Sequence, residues 1–99
     1  MSTRPKILIV DDNKINLIVL RKVLDEIDAE LIEANDGMEA LAATVDHNFA
    51  LAILDVQMPN MDGYELAEHI RADNKTKNVP IMFVTAAYDD EFHMFRSYQ

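Results

Sequence analysis

The chain has 99 residues, 49% of them hydrophobic, which fits a single globular domain with one core. It contains no cysteine, so disulfides and thiolate metal sites are excluded, in keeping with a cytoplasmic location. A formal net charge of −9 repels phosphate backbones and excludes nucleic acid as a partner of these residues. The apolar run Ile7-Leu8-Ile9-Val10 that follows Arg4 and Lys6 is too short for a signal peptide, and no stretch is long enough to span a bilayer.

That first run reads as a strand buried on both faces. Asp11, Asp12 and Asn13 stop it and supply caps for a helix. Leu17, Leu20, Leu24 and Ile27 then recur as one helical stripe. Leu31-Ile32-Glu33-Ala34 reads as a second strand. Asp36 and Glu39 form a capping box for a second helix, with Leu41 and Val45 as its core stripe. Leu51-Ala52-Ile53-Leu54 is a third strand ending at Asp55, and a loop containing Met58-Pro59 follows. Asp62 and Glu65 cap a third helix that buries Leu66 and Ile70. Pro80 opens a fourth strand through Ile81, Met82, Phe83 and Val84, at a position that needs no ladder donor. Tyr88, Phe92 and Phe95 have the spacing of a last helix, which reaches Gln99 without a stop signal. This alternation implies right-handed βαβ units and an α/β fold, with a doubly wound parallel sheet.

Ligands of such sheets gather beyond the carboxyl ends of the strands. Asp11 and Asp12 close strand one, and Asp55 closes strand three. If those strands are neighbours, about 4.8 Å apart, three carboxylates crowd one edge. Like charges that close disfavour mutual ionisation, and an all-oxygen site suits Mg²⁺. Singly, an Asp-Asp pair before a helix is an N-cap and a loop Asp is solvated. Their coincidence at one edge, with Thr85 closing strand four beside them, favours a functional site. His47, His69 and His93 lack metal-ligand spacing and read as surface residues.

Three blocks carry a resemblance: Val10-Asp11-Asp12-Asn13, Leu54-Asp55-Val56-Gln57-Met58-Pro59-Asn60-Met61-Asp62-Gly63, and Pro80-Ile81-Met82-Phe83-Val84-Thr85-Ala86. Together, over essentially the whole chain, they resemble the response-regulator receiver family of two-component phosphorelays. The resemblance implies a flavodoxin-like sheet of order 2-1-3-4-5. It implies Asp55 as phosphoacceptor from a histidine kinase or phosphotransfer protein. Mg²⁺ would be held by Asp12, Asp55 and the Gln57 carbonyl, with Asp11 acting mainly through water. Thr85 would contact the phosphoryl group, and Gln57 and Ala87 occupy positions that tune its lifetime. The start Asp11-Asp12-Asn13-Lys14-Ile15-Asn16 resembles receivers attached to hybrid kinases, and an output domain would lie elsewhere in the parent chain.

The family also has a fifth strand with a Lys at its end and an aromatic switch residue, then a fifth helix. These are not found here, so the expectation is a single receiver domain over residues 1–99, truncated at its C-terminus. Lys6, Lys75 and Lys77 belong to the opposite edge, and Lys14 reads as solvated. Without a fifth strand, strand four should present a bare edge and invite self-association. Two other functions compete with the regulatory one. A Mg²⁺-dependent phosphohydrolase with an aspartyl nucleophile usually has a second acid two residues later, where this chain has Gln57. A phosphorylation-incompetent interaction fragment would share the fold and the acids. A nucleotide-binding module is disfavoured, because Asp11 to Lys14 contains no glycine to cradle phosphates.

Overall fold

The computed structural model describes residues 4–84 and, as backbone, 95–98. Its elements, in chain order, are β1 (Lys6–Val10), α1 (Lys14–Val23), β2 (Glu30–Ala34), α2 (Gly37–Asp46), β3 (Leu51–Asp55), α3 (Gly63–Ala72), β4 (Ile81–Val84) and β5 (Phe95–Tyr98). They build one five-stranded sheet of order β2-β1-β3-β4-β5. The first four strands run parallel, in the order 2-1-3-4 anticipated from the sequence.

The strands are short apolar runs because both faces of the sheet are covered. On one face Ile7, Ile9 and Ile53 pack against Leu17 and Leu20 of α1 and Leu24, its C-cap residue. On the other, Leu8, Val10, Leu54, Ile81 and Phe83 pack against Ala40 of α2 and Leu66, Ala67 and Ile70 of α3. Each large aliphatic side chain so buried contributes about 1.5–3 kcal/mol relative to exposure.

The helices start where the sequence provides caps. Asn13 accepts from the Ile15 N–H, Asp36 from Glu39 and Asp62 from Glu65. The capping box of α2 is closed one residue early: Glu39 reaches back to the Asn35 N–H at 2.9 Å.

Three expectations are corrected. Ile27 lies past the end of α1 and is half exposed, because the helix stops at Val23 and the chain turns through residues 24–27 before β2. Val45 faces solvent, and Ala40 and Thr44 fill the α2 core positions instead. Phe95 belongs to a strand rather than a helix, while Tyr88 and Phe92 lie outside the described residues. That strand pairs antiparallel with β4, Ile81 opposite Tyr98 and Val84 opposite Phe95, so the β4 edge is not bare. The parallel fifth strand implied by the resemblance is not among the described residues.

Candidate functional site

The β1–β3 register sets Val10 beside Leu54, so the next residues, Asp11 and Asp55, emerge together from the same edge of the sheet. Asp11 is anchored on its other side by its N–H, which donates to the Ala34 carbonyl of β2 at 3.1 Å. The N–H after Asp55, that of Val56, donates to the Val84 carbonyl of β4 at 3.2 Å. Both acceptor-edge backbones are therefore held by neighbouring strands. Carboxylate oxygens of Asp11, Asp12 and Asp55 lie within 4.8 Å of one another.

The three acids are not equivalent. Asp11 and Asp55 are buried, whereas Asp12 is exposed. Asp11 Oδ1 accepts from the Asn13 N–H at 2.9 Å, but Asp11 Oδ2 is buried without a partner. A lone buried carboxylate oxygen is costly, and it faces a site where a cation would satisfy it. Asp55 Oδ1 accepts a longer bond, 3.3 Å, from the Gln57 N–H.

Burial raises the Asp55 carboxyl to about 7, and the nearby charge of Asp11 adds to the effect, with a further contribution from Asp12. Burial also raises Asp11, against the Asn13 N–H and the Asn16 side chain, which favour its charged form. The metal-free site thus holds more negative charge than it can keep ionised. An all-oxygen set with one orphaned ligand atom and crowded charge fits a hard divalent cation.

Gln57 is exposed at the start of the β3–α3 loop, and Thr85 lies outside the described residues. Lys14 is exposed on α1. Lys6 donates to His47 Nδ1 at 3.0 Å, and Lys75 donates to the Val45 carbonyl in the last turn of α2 at 3.0 Å, so both are engaged away from the acids. Among the described residues neither His47 nor His69 joins a metal-binding cluster.

Two residues stood in the quoted sequence blocks with no role assigned to them. Asn16 supports the charge of Asp11 from the first turn of α1, a contact that only the helix path creates. Gly63 sits against the backbone of Asp55 itself, so closely that a Cβ there would lie 3.0 Å from Val56 Cα. Its signal was the bare fact of a glycine at the first position of a helix, where a β-carbon is normally harmless.

The model of the response regulator receiver domain matches residues 7–99. The sensor protein GacS of Pseudomonas syringae pv. syringae is 39% identical over 88 residues, which are 86% of this chain and 10% of that protein. The chain thus spans about a tenth of the length of the curated sensor proteins it matches. Among solved structures, the N-terminal domain of a response regulator receiver protein from Methanoculleus marisnigri JR1 superposes with a TM-score of 0.77. It is 34% identical, over 82% of this chain and 66% of that one. The receiver domain of a sensor histidine kinase from Pseudomonas aeruginosa PAO1 gives a TM-score of 0.78 at 27% identity, over 90% of this chain and 73% of that one. It was solved with a magnesium ion coordinated in its active-site cleft.

Proposed function

Because the chain belongs to the response regulator receiver family, whose members act as regulatory phosphoacceptors, we propose that Asp55 takes the phosphoryl group from a phosphohistidine donor. The observation that carries this reading is the convergence of Asp11, Asp12 and Asp55 at one sheet edge, with Asp11 Oδ2 left unsatisfied. Asp12, Asp55 and the Gln57 carbonyl would hold Mg²⁺, with Asp11 acting mainly through water, and the ion would supply positive charge to developing phosphoryl oxygens. That charge would also favour the ionised form of Asp55, which a nucleophilic carboxylate must be.

In the transfer, an Asp55 carboxylate oxygen attacks phosphorus and the P–N bond of the donor breaks. The electron pair of that bond stays on the imidazole nitrogen, and Asp55 becomes an acyl phosphate. By sequence Thr85 directly follows Val84, the register partner of Asp55, which suits its hydroxyl to a phosphoryl oxygen. The exposed Gln57 stands where an aspartyl phosphohydrolase would place its second acid, which favours a regulatory acceptor over a turnover enzyme.

The donor is a histidine kinase or phosphotransfer protein. Beside the acids, α1 exposes Ile15, Ile18, Val19 and Val23 on the side away from the sheet, an apolar strip suited to a helix of that donor. No helix among the described residues is long and apolar enough to cross a membrane, and the reading places the domain in the cytoplasm with its kinase.

Incubation with acetyl phosphate tests the acceptor. The parent chain should acquire an acid-stable, base-labile label in the presence of Mg²⁺, and Asp55→Asn should acquire none. Asp12→Ala should weaken Mg²⁺ binding in a calorimetric titration. Label retained by Asp55→Asn would remove Asp55 from the role.

A further inference from the structure

We propose that Gly63 is a positioning residue for the acceptor site, required because α3 rests its first turn directly on the peptide that carries Asp55. This inference depends on the functional reading above. The Gly63 N–H donates to the Val56 carbonyl at 2.9 Å. A β-carbon on Gly63 would lie 3.0 Å from both the Asp55 carbonyl carbon and Val56 Cα, and closer still to the Asp55 carbonyl oxygen. All three are backbone atoms, so no side chain can swing aside to make room.

The question is which partner yields. α3 is fixed by Leu66, Ala67 and Ile70, none more than 1% exposed, and by the Asp62 cap on the Glu65 N–H at 2.8 Å. The peptide after Asp55 lies at the last residue of β3, where the strand gives way to a loop, and its Val56 N–H bonds the Val84 carbonyl at 3.2 Å. A methyl group at position 63 therefore displaces the Asp55–Val56 peptide rather than the helix. That peptide sets the root of the Asp55 side chain, and Gln57, whose N–H bonds the Asp55 carboxylate, follows one residue later. The displacement reaches two of the groups assigned to the cation.

Gly37 shows the contrast. A β-carbon there would lie 2.5 Å from Met61 Sδ, the movable part of a flexible side chain. Gly37 is a packing glycine, and Gly63 is a glycine of the site.

Calorimetric titration with MgCl₂ of the parent chain, Gly63→Ala and Ala67→Gly decides between a positioning and a merely structural role. Ala67→Gly loosens the same helix without touching Asp55. We expect both variants to melt earlier, but only Gly63→Ala to bind Mg²⁺ about tenfold or more weakly, the usual cost of losing support behind a metal ligand. Equal affinity in the parent and Gly63→Ala overturns the inference alone. No binding by the parent overturns the functional reading and the inference with it.

If Gly63→Ala does not fold, the parent chain still gives an answer by amide NMR. The Gly63 N–H should shift with the same Mg²⁺ midpoint as the Gln57 N–H. A Gln57 amide that moves while that of Gly63 stays still overturns the inference.

Discussion

Asp55 is a buried carboxyl whose ordinary value of 3.8 is lifted to about 7, first by burial and then by the charge of Asp11. The linkage to stability follows from which state holds the proton. Between these two values the unfolded chain has released its Asp55 proton and the folded chain has kept it, so stability falls as pH rises through this window. The loss is complete above the folded value, and it amounts to a few kcal/mol on the order-of-magnitude scale of about 1.4 kcal/mol per decade. We expect Asp55→Asn to melt well above the parent at pH 8 without metal and to lose that advantage towards pH 4. Thermal melts across pH in a chelator check this, and a constant difference would show that Asp55 carries no charge conflict. Mg²⁺ should stabilise the parent at pH 8 and leave Asp55→Asn nearly unmoved. The acids themselves were legible in the sequence, because Asp11 and Asp55 each terminate an apolar strand and a parallel register brings such ends together. Gly63 was legible only as the last residue of the block that begins at Leu54, because the reason for it is a close approach between α3 and β3 that no spacing encodes.

The helix α1 carries two apolar stripes. Leu17 and Leu20 face the sheet, while Ile15, Ile18, Val19 and Val23 are each more than half exposed on the other side. A helix apolar on opposite faces is either buried twice or meets a partner. The sequence pointed to the leucine stripe alone, which suffices to place the helix on a core and so hides the other. Replacing Ile15 and Val19 together by alanine should leave the melt unchanged or slightly raised, since alanine is the stronger helix former and little burial is lost. Labelling by acetyl phosphate should persist. Transfer from a phosphohistidine donor should fall about tenfold if these residues anchor it, because truncating an anchor costs about 1–2 kcal/mol. Equal rates from both donors would free α1 of that role. The first four strands were legible for a plain reason: a short apolar run bounded by Asp, Asn or Pro has few other uses. β5 was missed because Phe95 continues the i, i+4, i+7 pattern of Tyr88 and Phe92, and three aromatics at helical spacing outweigh a four-residue strand of mixed polarity.

Across the whole molecule, the sheet must dispose of two edges. On one side, Arg21 lies over the outer edge of β2, pairing with Glu33 and reaching towards the Leu31 carbonyl at 3.4 Å. On the other, β4 is an apolar strand, Ile81-Met82-Phe83-Val84, whose Ile81 and Phe83 belong to the core. Left unpaired, such a strand is a template for another chain. β5 takes that position, with Met82 opposite Ser97 and Phe83 opposite Arg96, so the backbone groups along that side of β4 are paired. The self-association expected from a bare β4 therefore loses its physical cause. The intact chain should scatter light as a monomer across a dilution series, with a melt independent of concentration. Ending the chain after residue 94 should restore the bare edge and give a mass that climbs with concentration. The shortened chain should also melt earlier, because the β4–β5 ladder is lost. A shortened chain that stays monomeric would show that β5 does not protect the edge, and a parent that associates at the same concentrations would show that the sheet pairs through an edge β5 leaves open.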